Sequence, residues 1–252
     1  GCCDSQRTGS GAGAVVTDRS LADWLDWAGR QHPVGIDMGL ERVSRVAEKL
    51  GFEAPARRPA PRTIIVAGTN GKGSTTIFTE ALLRASGFRV GSTISPHIHE
   101  FNERVRIDGR AADDATLAAA FAAVEAARGD TTLTYFEYSA LVALWTFRAA
   151  QVDVAVLEVG LGGRLDAMNL VSADVAIVTS IGLDHEAFLG SDIEGIGREK
   201  AGVFRPGCTA VIGSDVTRSV HEEATRLGCR IRAMGRDFQM SATPRSWSWN
   251  SS

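Results

Sequence analysis

Short apolar runs rich in β-branched residues alternate along this chain with segments of helical spacing. The runs Thr63 to Ala67, Val152 to Val159 and Asp174 to Ile181 have the composition of strands that are buried on both faces. Because strand, crossover helix and strand recur in this order, the sequence predicts an α/β fold, an open and mostly parallel sheet with helices on both faces. Ligands of such sheets bind beyond the carboxyl ends of the strands, so we expect functional residues there.

The other periodic segments complete this alternation. Apolar residues at helical spacing predict further helices, and shorter apolar runs predict further strands. The helices are expected over Leu21 to Gly29, Leu40 to Leu50, Ser74 to Ser86, Asp113 to Arg128, Phe136 to Ala150 and Val216 to Leu227. The further strands are Arg89 to Ile94, Thr209 to Ile212 and Arg230 to Ala233. The proline-rich stretch Pro55 to Pro61 is expected to be a linker into the first strand.

The size and charge of the chain favour one large globular domain. Its 252 residues are 44% apolar with a formal net charge of −3, which suffices for a substantial core. We expect that domain over residues 20–252, after a flexible N-terminal segment, residues 1–19. Scattered basic residues argue against a nucleic-acid partner, and no apolar run approaches the roughly 20 residues that span a bilayer. The cysteines fit buried thiols in a reducing cytoplasm, because none form a Cys-x-x-Cys pair.

A glycine-rich loop, Gly68-Thr69-Asn70-Gly71-Lys72-Gly73-Ser74, joins the first strand to a helix. Glycines let backbone N–H groups approach phosphate oxygens, and a helix N-terminus adds positive potential. Lys72 can reach the terminal phosphates, while the hydroxyl of Ser74 or Thr75 can meet Mg²⁺ or a phosphate. The sequence therefore favours a phosphate-binding loop at this position.

This loop departs from the strict phosphate-loop pattern. Val66 stands where the pattern has its first glycine, and Gly73 separates Lys72 from Ser74. An ordinary glycine-rich turn between strand and helix is the alternative. A second turn, Gly160-Leu161-Gly162-Gly163, also follows a strand, but it lacks the dinucleotide-binding spacing and an acidic residue on a following strand.

Polar side chains stand at the ends of the predicted strands. Glu158 ends an apolar run, where a carboxylate needs a partner such as a hard cation, and a structural ion pair is the alternative. His185 follows the strand Asp174 to Ile181 and is either a functional or a structural histidine. From local sequence alone, Ser95 is a turn serine and Lys200 is a surface charge.

Several short motifs occur together over roughly residues 20 to 238. They are Ile36 to Val43, Gly68 to Ser74, Ser95 to His97, Asn102 to Arg106, Thr134 to Glu137, Glu158 to Ala167, Gly182 to His185 and Arg198 to Gly202. In this order they resemble the bifunctional dihydrofolate synthase/folylpolyglutamate synthase family of the Mur-type ligases. Single motifs are shared with other Mur-type ligases, whereas Thr-Tyr-Phe-Glu together with Gly-Gly-Arg-Leu-Asp-Ala points to the folate branch. Gly73, which breaks the general phosphate-loop pattern, is normal in this family.

The resemblance implies a role for each segment. The residues that would bind ATP are Gly68, Thr69, Asn70, Gly71, Lys72, Gly73 and Ser74. Ser95 and Glu158 would hold one Mg²⁺ and His185 a second. Lys200 would be carbamylated, which replaces a repelling ammonium by anionic oxygen near the metals, and with Lys72 and His185 it would be catalytic. The acid substrate would be held by Asp37, Thr134, Tyr135, Phe136, Glu137, Leu165, Asp166 and Ala167.

The resemblance also implies a reaction. The chain would belong to an ATP-dependent carboxylate–amine (acid–amino-acid) ligase that uses two Mg²⁺ and acts as a monomer through an acyl phosphate. It would join L-glutamate to dihydropteroate as a dihydrofolate synthase, and to folates as a folylpolyglutamate synthase. Members of the family have a second, C-terminal ligase domain, which we expect to be absent from this chain. Two alternatives follow: a truncated nucleotide- and pterin-binding module without turnover, or a Mur-type amino-acid ligase for another acid.

Overall fold

A sheet of eight strands forms the centre of the protein in a computed structural model, which describes residues 19–54, 57–183, 188, 190–243 and 245–251. In chain order the strands are β1 (Arg62–Ala67), β2 (Val90–Thr93), β3 (Val105–Ile107), β4 (Arg110–Ala111), β5 (Val154–Glu158), β6 (Val175–Ser180), β7 (Thr209–Asp215) and β8 (Arg230–Ala233). Their order across the sheet is β4-β3-β2-β5-β1-β6-β7-β8. The strands from β2 to β8 in this order run parallel, and β3 and β4 are antiparallel to their neighbours. The prediction of a mostly parallel sheet is confirmed.

Seven helices of at least eight residues lie within the described ranges, two before β1 and five between strands of the sheet. They are α1 (Leu21–Ala28), α2 (Glu41–Lys49), α3 (Lys72–Ala85), α4 (Asp114–Arg128), α5 (Tyr135–Ala149), α6 (Ile193–Ala201) and α7 (Arg218–Arg226). Two short 3-10 helices, Phe101–Arg104 and Ala167–Leu170, lie among them. Side-chain caps fix several of the starts: Asp113 accepts a hydrogen bond at α4, and Thr134 and Glu137 form a capping box at α5.

Helices cover both faces of the sheet. Successive side chains of the central strands point to opposite faces, and both faces carry apolar side chains that need covering. Ile65 of β1 belongs to the main core together with Leu144 of α5. Val66 of β1 and Val156 of β5 point the other way and pack with Leu83 of α3 in a smaller core. The predicted layered arrangement is thus confirmed. Of the helices in the described ranges, none is both long and apolar enough to span a membrane.

The sequence prediction missed several elements and shifted some boundaries. α3 begins at Lys72 rather than Ser74, because Gly71 with φ 82° starts the helix inside the loop. The antiparallel strands β3 and β4 are only three and two residues long, too short to show a period. α6 contains interior glycines that weaken a helical pattern. A polar hairpin of β9 (Phe238–Thr243) and β10 (Ser246–Ser251) was not predicted either.

Two remaining sequence expectations concern the first residues and the cysteines. The segment expected to be flexible, residues 1–19, lies outside the described residues apart from Arg19. Cys208 is buried, Cys229 is half-buried, and both are free thiols whose Sγ atoms lie 3.7 Å apart. Both observations on the thiols agree with the expectation of reduced cysteines at these two positions.

Candidate functional site

The loop between β1 and α3 takes a conformation that favours glycine at two positions. Gly68 has φ 145°, and a Cβ on it would lie 1.9 Å from Thr179 Oγ1. Gly71 has φ 82° and occupies the N-cap of α3. The first turn of α3 therefore starts at Lys72, directly beyond the central strand, and its N–H groups carry the positive potential of a helix N-terminus.

Hydrogen bonds tie this loop to the end of β6. Thr69 N donates to Ser180 O at 2.8 Å, and Asn70 N donates to Ser180 Oγ at 3.1 Å. Gly182 N donates to Thr69 Oγ1 at 2.9 Å, and Thr179 Oγ1 donates to Asn70 O at 2.7 Å. These four hydrogen bonds hold the backbone of the loop against the end of β6.

Two lysine ammonium groups meet at the base of the loop. Lys72 Nζ donates to Gly68 O and to Thr69 O, both at 3.1 Å. Lys200 Nζ, from α6, also donates to Gly68 O, at 3.0 Å, and Lys200 is only 2% exposed. The interpretation of Lys200 as a surface charge is therefore wrong. Ile196 and Lys200 are one helical turn apart on the buried face of α6, and this spacing was the available sequence signal.

Close backbone packing holds α6 in this place. A Cβ on Gly163 would lie 2.6 Å from Glu199 O and 2.8 Å from Lys200 Cα. A Cβ on Gly160 would lie 2.5 Å from the Phe136 ring. The glycines of this second turn thus allow the chain after β5 to pack against α6 and against the start of α5.

Glu158 ends β5 and is 4% exposed. Its Oε2 accepts a hydrogen bond from Ser95 N at 2.8 Å. A Cβ on Gly73 would lie 3.6 Å from both carboxylate oxygens, so the carboxylate faces the first turn of α3. Burial raises the pKa of Glu158, while the Ser95 N–H and the charges of Lys72 and Arg104 act in the opposite direction.

A divalent cation fits the chemistry of this corner. In the described part of the chain, Glu158 makes no ion pair with a lysine or arginine, although the charges of Lys72 and Arg104 act on its carboxylate. Mg²⁺ takes oxygen ligands and often uses one or two carboxylates plus substrate phosphates. The described ranges contain no group of three or more His, Cys, Asp or Glu arranged as a metal site. Glu158 and Ser95 could therefore hold such an ion together with ligand oxygens.

A cleft of about 300 Å³ opens beside Ser95. Its walls come from the loop before α2, the residues around Ser95, the start of α5 and the segment after β5. The lining residues are Gly35, Ile36, Asp37, Met38, Gly39, Ser95, Pro96, Arg104, Thr134, Phe136, Glu137, Gly160, Leu161, Leu165, Asp166 and Ala167. All the residues expected to hold the acid line this cleft except Tyr135, whose ring packs edge-on against Phe101.

Arg42 fixes the two sides of the cleft to each other. Its Nη1 donates to Asp37 Oδ2 at 2.5 Å, and its Nη2 donates to Glu137 Oε1 at 3.2 Å. Glu137 Oε2 in turn accepts a hydrogen bond from Thr134 N at 2.8 Å. The loop that carries Asp37 is therefore anchored to the first turn of α5.

Asp166 lies at the back of the cleft, and it is 3% exposed. Its carboxyl oxygens accept hydrogen bonds from Gly160 N at 3.0 Å, Leu161 N at 2.9 Å and Met168 N at 2.8 Å. Burial outweighs these bonds and raises the pKa of Asp166 to about 7. The side chain thus shapes the wall of the cleft by fixing the turn after β5.

Arg104 also lines the cleft, although no role was predicted for it. Its Nε donates to His97 Nδ1 at 2.7 Å, and burial lowers its pKa. It is the last residue of the short 3-10 helix Phe101–Arg104, a segment that carries no periodic signal, so local patterning could not identify it. His185, by contrast, was predicted, but it lies outside the described residues.

Comparison with known proteins gives a consistent result. Residues 66–243 match the family model of the Mur ligase middle domain. The chain is 48% identical over 231 residues to the dihydrofolate synthase/folylpolyglutamate synthase of Escherichia coli strain K12, covering 91% of this chain and 54% of that protein. The chain spans about half the length of the curated relatives it matches.

Solved structures agree with this. A structure titled E. coli FolC in complex with DHPP and ADP superposes with a TM-score of 0.89 at 47% identity, over 93% of this chain and 56% of that chain. A bifunctional folylpolyglutamate synthase/dihydrofolate synthase with Mn, AMPPNP and L-glutamate bound gives a TM-score of 0.84 at 47% identity, over 93% of this chain and 56% of that chain.

Proposed function

We propose that this chain, which belongs to the Mur ligase family and to its dihydrofolate synthase/folylpolyglutamate synthase branch, is the ATP- and pterin-binding part of an ATP-dependent ligase. The ligase joins L-glutamate to dihydropteroate and to folates. One observation carries the proposal: Ser95 borders the cleft and also donates its N–H to Glu158 at the phosphate loop. An acid in the cleft would therefore have its carboxylate next to the phosphates of ATP.

The phosphate side of the proposal rests on the loop Gly68 to Ser74. Gly71 and Gly73 carry no side chain at the start of α3, so a phosphate can approach the backbone there, and this helix N-terminus adds positive potential. Lys72 is already anchored to two carbonyls of the loop, which holds its ammonium close to the positions of bound phosphates. Charge on the transferring phosphoryl would be offset by Lys72, as phosphoryl transfer requires.

The metal side of the proposal rests on Glu158. Its buried carboxylate faces the first turn of α3, and a divalent cation would supply the missing positive charge there and polarise phosphate oxygens. Ser95 would complete this site, and His185 would hold a second Mg²⁺. We include Lys200, buried at the base of the same loop, as a carbamylated residue of this centre.

The acid side of the proposal rests on the composition of the cleft. Apolar side chains such as Phe136 and Leu165 form its walls, and polar groups such as Asp37 and Asp166 stand at defined points. A flat pterin needs this combination of apolar faces and hydrogen-bonding edges. The volume of about 300 Å³ lies in the range of small-molecule sites.

The chemistry that follows is a two-step amide synthesis. A carboxylate oxygen of the acid attacks the γ-phosphorus of ATP, and ADP leaves. The amino group of glutamate then attacks the carbonyl carbon of the acyl phosphate, inorganic phosphate leaves that carbon, and the nitrogen loses a proton to give the amide. In this scheme, protein groups mainly position the reactants. The proposal includes a cytoplasmic monomer that acts on small molecules and has no nucleic-acid or membrane partner.

The test is ADP release by the chain with ATP, dihydropteroate and glutamate as substrates in the presence of Mg²⁺, with each of the three substrates omitted in turn. Turnover that needs all three supports the proposal, and ¹⁸O placed in the carboxylate of dihydropteroate should appear in the inorganic phosphate. Lys72→Ala and His185→Ala should abolish amide formation. Lys49→Ala, which removes an exposed lysine at the end of α2, is the matched control.

The remaining outcomes separate the alternatives. ATP binding without turnover in any mixture would favour a nucleotide- and pterin-binding module. Turnover with an unrelated acid, and none with dihydropteroate or folates, would favour another amino-acid ligase. Near-normal turnover in Lys72→Ala would refute the role of the phosphate loop.

A further inference from the structure

The guanidinium of Arg104 lies between the cleft and the phosphate side of the site. Arg104 lines the cleft with Ser95, and it also lines a small adjoining cavity with Glu158. Its Cζ lies 5.7 Å from the ring centre of Tyr135 and 6.0 Å from that of Phe101. Aromatic rings therefore restrict the plane of the guanidinium.

One edge of this guanidinium is already occupied. Arg104 Nε donates to His97 Nδ1 at 2.7 Å. The His97 ring packs edge-on against Phe101, which holds this acceptor in place. The two Nη groups form the other edge, and a guanidinium binds a carboxylate best through two parallel N–H groups.

No aspartate or glutamate in the described part of the chain forms an ion pair with Arg104, whose charge lies half-buried in the wall of an open cleft. Burial lowers the pKa of Arg104, which records the cost of removing water from this cation. A desolvated cation that makes no ion pair with the described carboxylates is suited to bind an anionic ligand. Glu158 acts on it only over a longer distance.

We propose that Arg104 binds the carboxylate of the acid in the cleft and so selects acids over neutral pterins. The inference rests on the proposed function, because it assumes that the cleft holds a pterin acid. Lys72 and the phosphate loop would bind the phosphates of ATP. The carboxylate of the acid is then the anionic group left to bind in the cleft. Arg104 would hold that carboxylate beside Ser95, where it meets ATP.

The test compares two ligands that differ only in charge, pteroic acid and its carboxamide. Their dissociation constants are measured by calorimetry with the 252-residue chain and with Arg104→Met. Unmodified protein should bind the acid about 10- to 100-fold more tightly than the amide, which is the effect of a charge-assisted hydrogen-bonded pair. In Arg104→Met this preference should disappear, with the affinity for the amide and for AMPPNP unchanged.

Arg148→Met is the matched control. Arg148 is also half-buried and stacks on an aromatic ring, Phe52, at 4.0 Å, but it lies in the last turn of α5, far from the cleft. Its replacement should leave the preference for the acid intact. Arg104→Lys, which keeps the charge and loses the fork, should restore only part of the preference.

Each other outcome has a separate meaning. An equal loss of affinity for acid and amide in Arg104→Met would mean that Arg104 only supports the wall of the cleft, and would overturn the inference. A loss of AMPPNP affinity alone would assign Arg104 to the phosphates and would also overturn it. Binding of neither pterin by the unmodified chain would contradict the proposed function itself.

Discussion

The buried carboxyl of Asp166 should make the stability of the protein depend on pH in a defined direction. Its pKa rises from 3.8 to about 7 in the folded state because burial outweighs three backbone hydrogen bonds. Since the folded-state pKa lies above the unfolded one, protonation of Asp166 stabilises the fold at low pH. That contribution is lost as the pH rises from about 4 to about 7.

The size of the effect follows from the shift of the pKa. A rise of about three units corresponds to about 4 kcal/mol, of which more than half is lost between pH 5 and pH 8. Asp166→Asn removes the titration. Its amide cannot accept all three backbone hydrogen bonds, but that cost does not depend on pH. The free energy of unfolding of the wild type, relative to Asp166→Asn, should therefore fall by about 2 to 3 kcal/mol over this range.

Reversible urea unfolding at four pH values between 5 and 8 measures this difference. Asp113→Asn is the control, because Asp113 is an exposed N-cap whose pKa is lowered by Thr116, so its contribution is present above its unfolded pKa and does not fall with rising pH in this range. A difference between wild type and Asp166→Asn that stays constant from pH 5 to pH 8 would refute the reasoning about burial.

Three further substitutions test the packing around the site. Gly68→Ala places a Cβ 1.9 Å from Thr179 Oγ1, so calorimetry should record weaker AMPPNP binding, and unchanged affinity would contradict the account of the loop. Gly91→Ala places a Cβ 2.4 Å from the Phe147 ring and should lower the free energy of unfolding by about 1–3 kcal/mol; adding Phe147→Leu should recover part of it. Thr134→Ala removes the cap of α5 and should cost about 1 kcal/mol in urea unfolding, whereas no loss would mean that the capping box is not needed.

The central strands, and the helices that alternate with them, could be predicted because these strands are buried on both faces. β1, β5 and β6 are short, continuous, apolar runs, and glycine or polar residues mark their ends. For the same reason, Glu158 was recognised from the sequence as a polar residue at the end of a buried run. Which residues surround Glu158 in space, such as Gly73, is visible only in the folded structure.

Lys200 and Arg104 illustrate how tertiary packing decides where a charged side chain lies. The burial of Lys200 depends on the close approach of Gly163 to α6, a contact between segments far apart in the chain. Arg104 lines the cleft from the last position of a four-residue 3-10 helix directly before β3, and elements this short leave no periodic pattern. Both positions are set by tertiary packing, and only the family resemblance drew attention to Lys200.

A nucleotide site and an acid site that adjoin at one edge of the sheet should both be filled at the same time. Dihydropteroate is titrated into the chain saturated with AMPPNP and Mg²⁺, and AMPPNP is titrated into the chain saturated with dihydropteroate. Both titrations are repeated with Lys72→Ala. We expect one molecule of each ligand to bind per chain, and both to bind at the same time. Lys72→Ala should lose affinity for the nucleotide and retain affinity for the acid. Displacement of one ligand by the other, or equal loss of both in Lys72→Ala, would contradict two adjoining sites at this edge of the sheet.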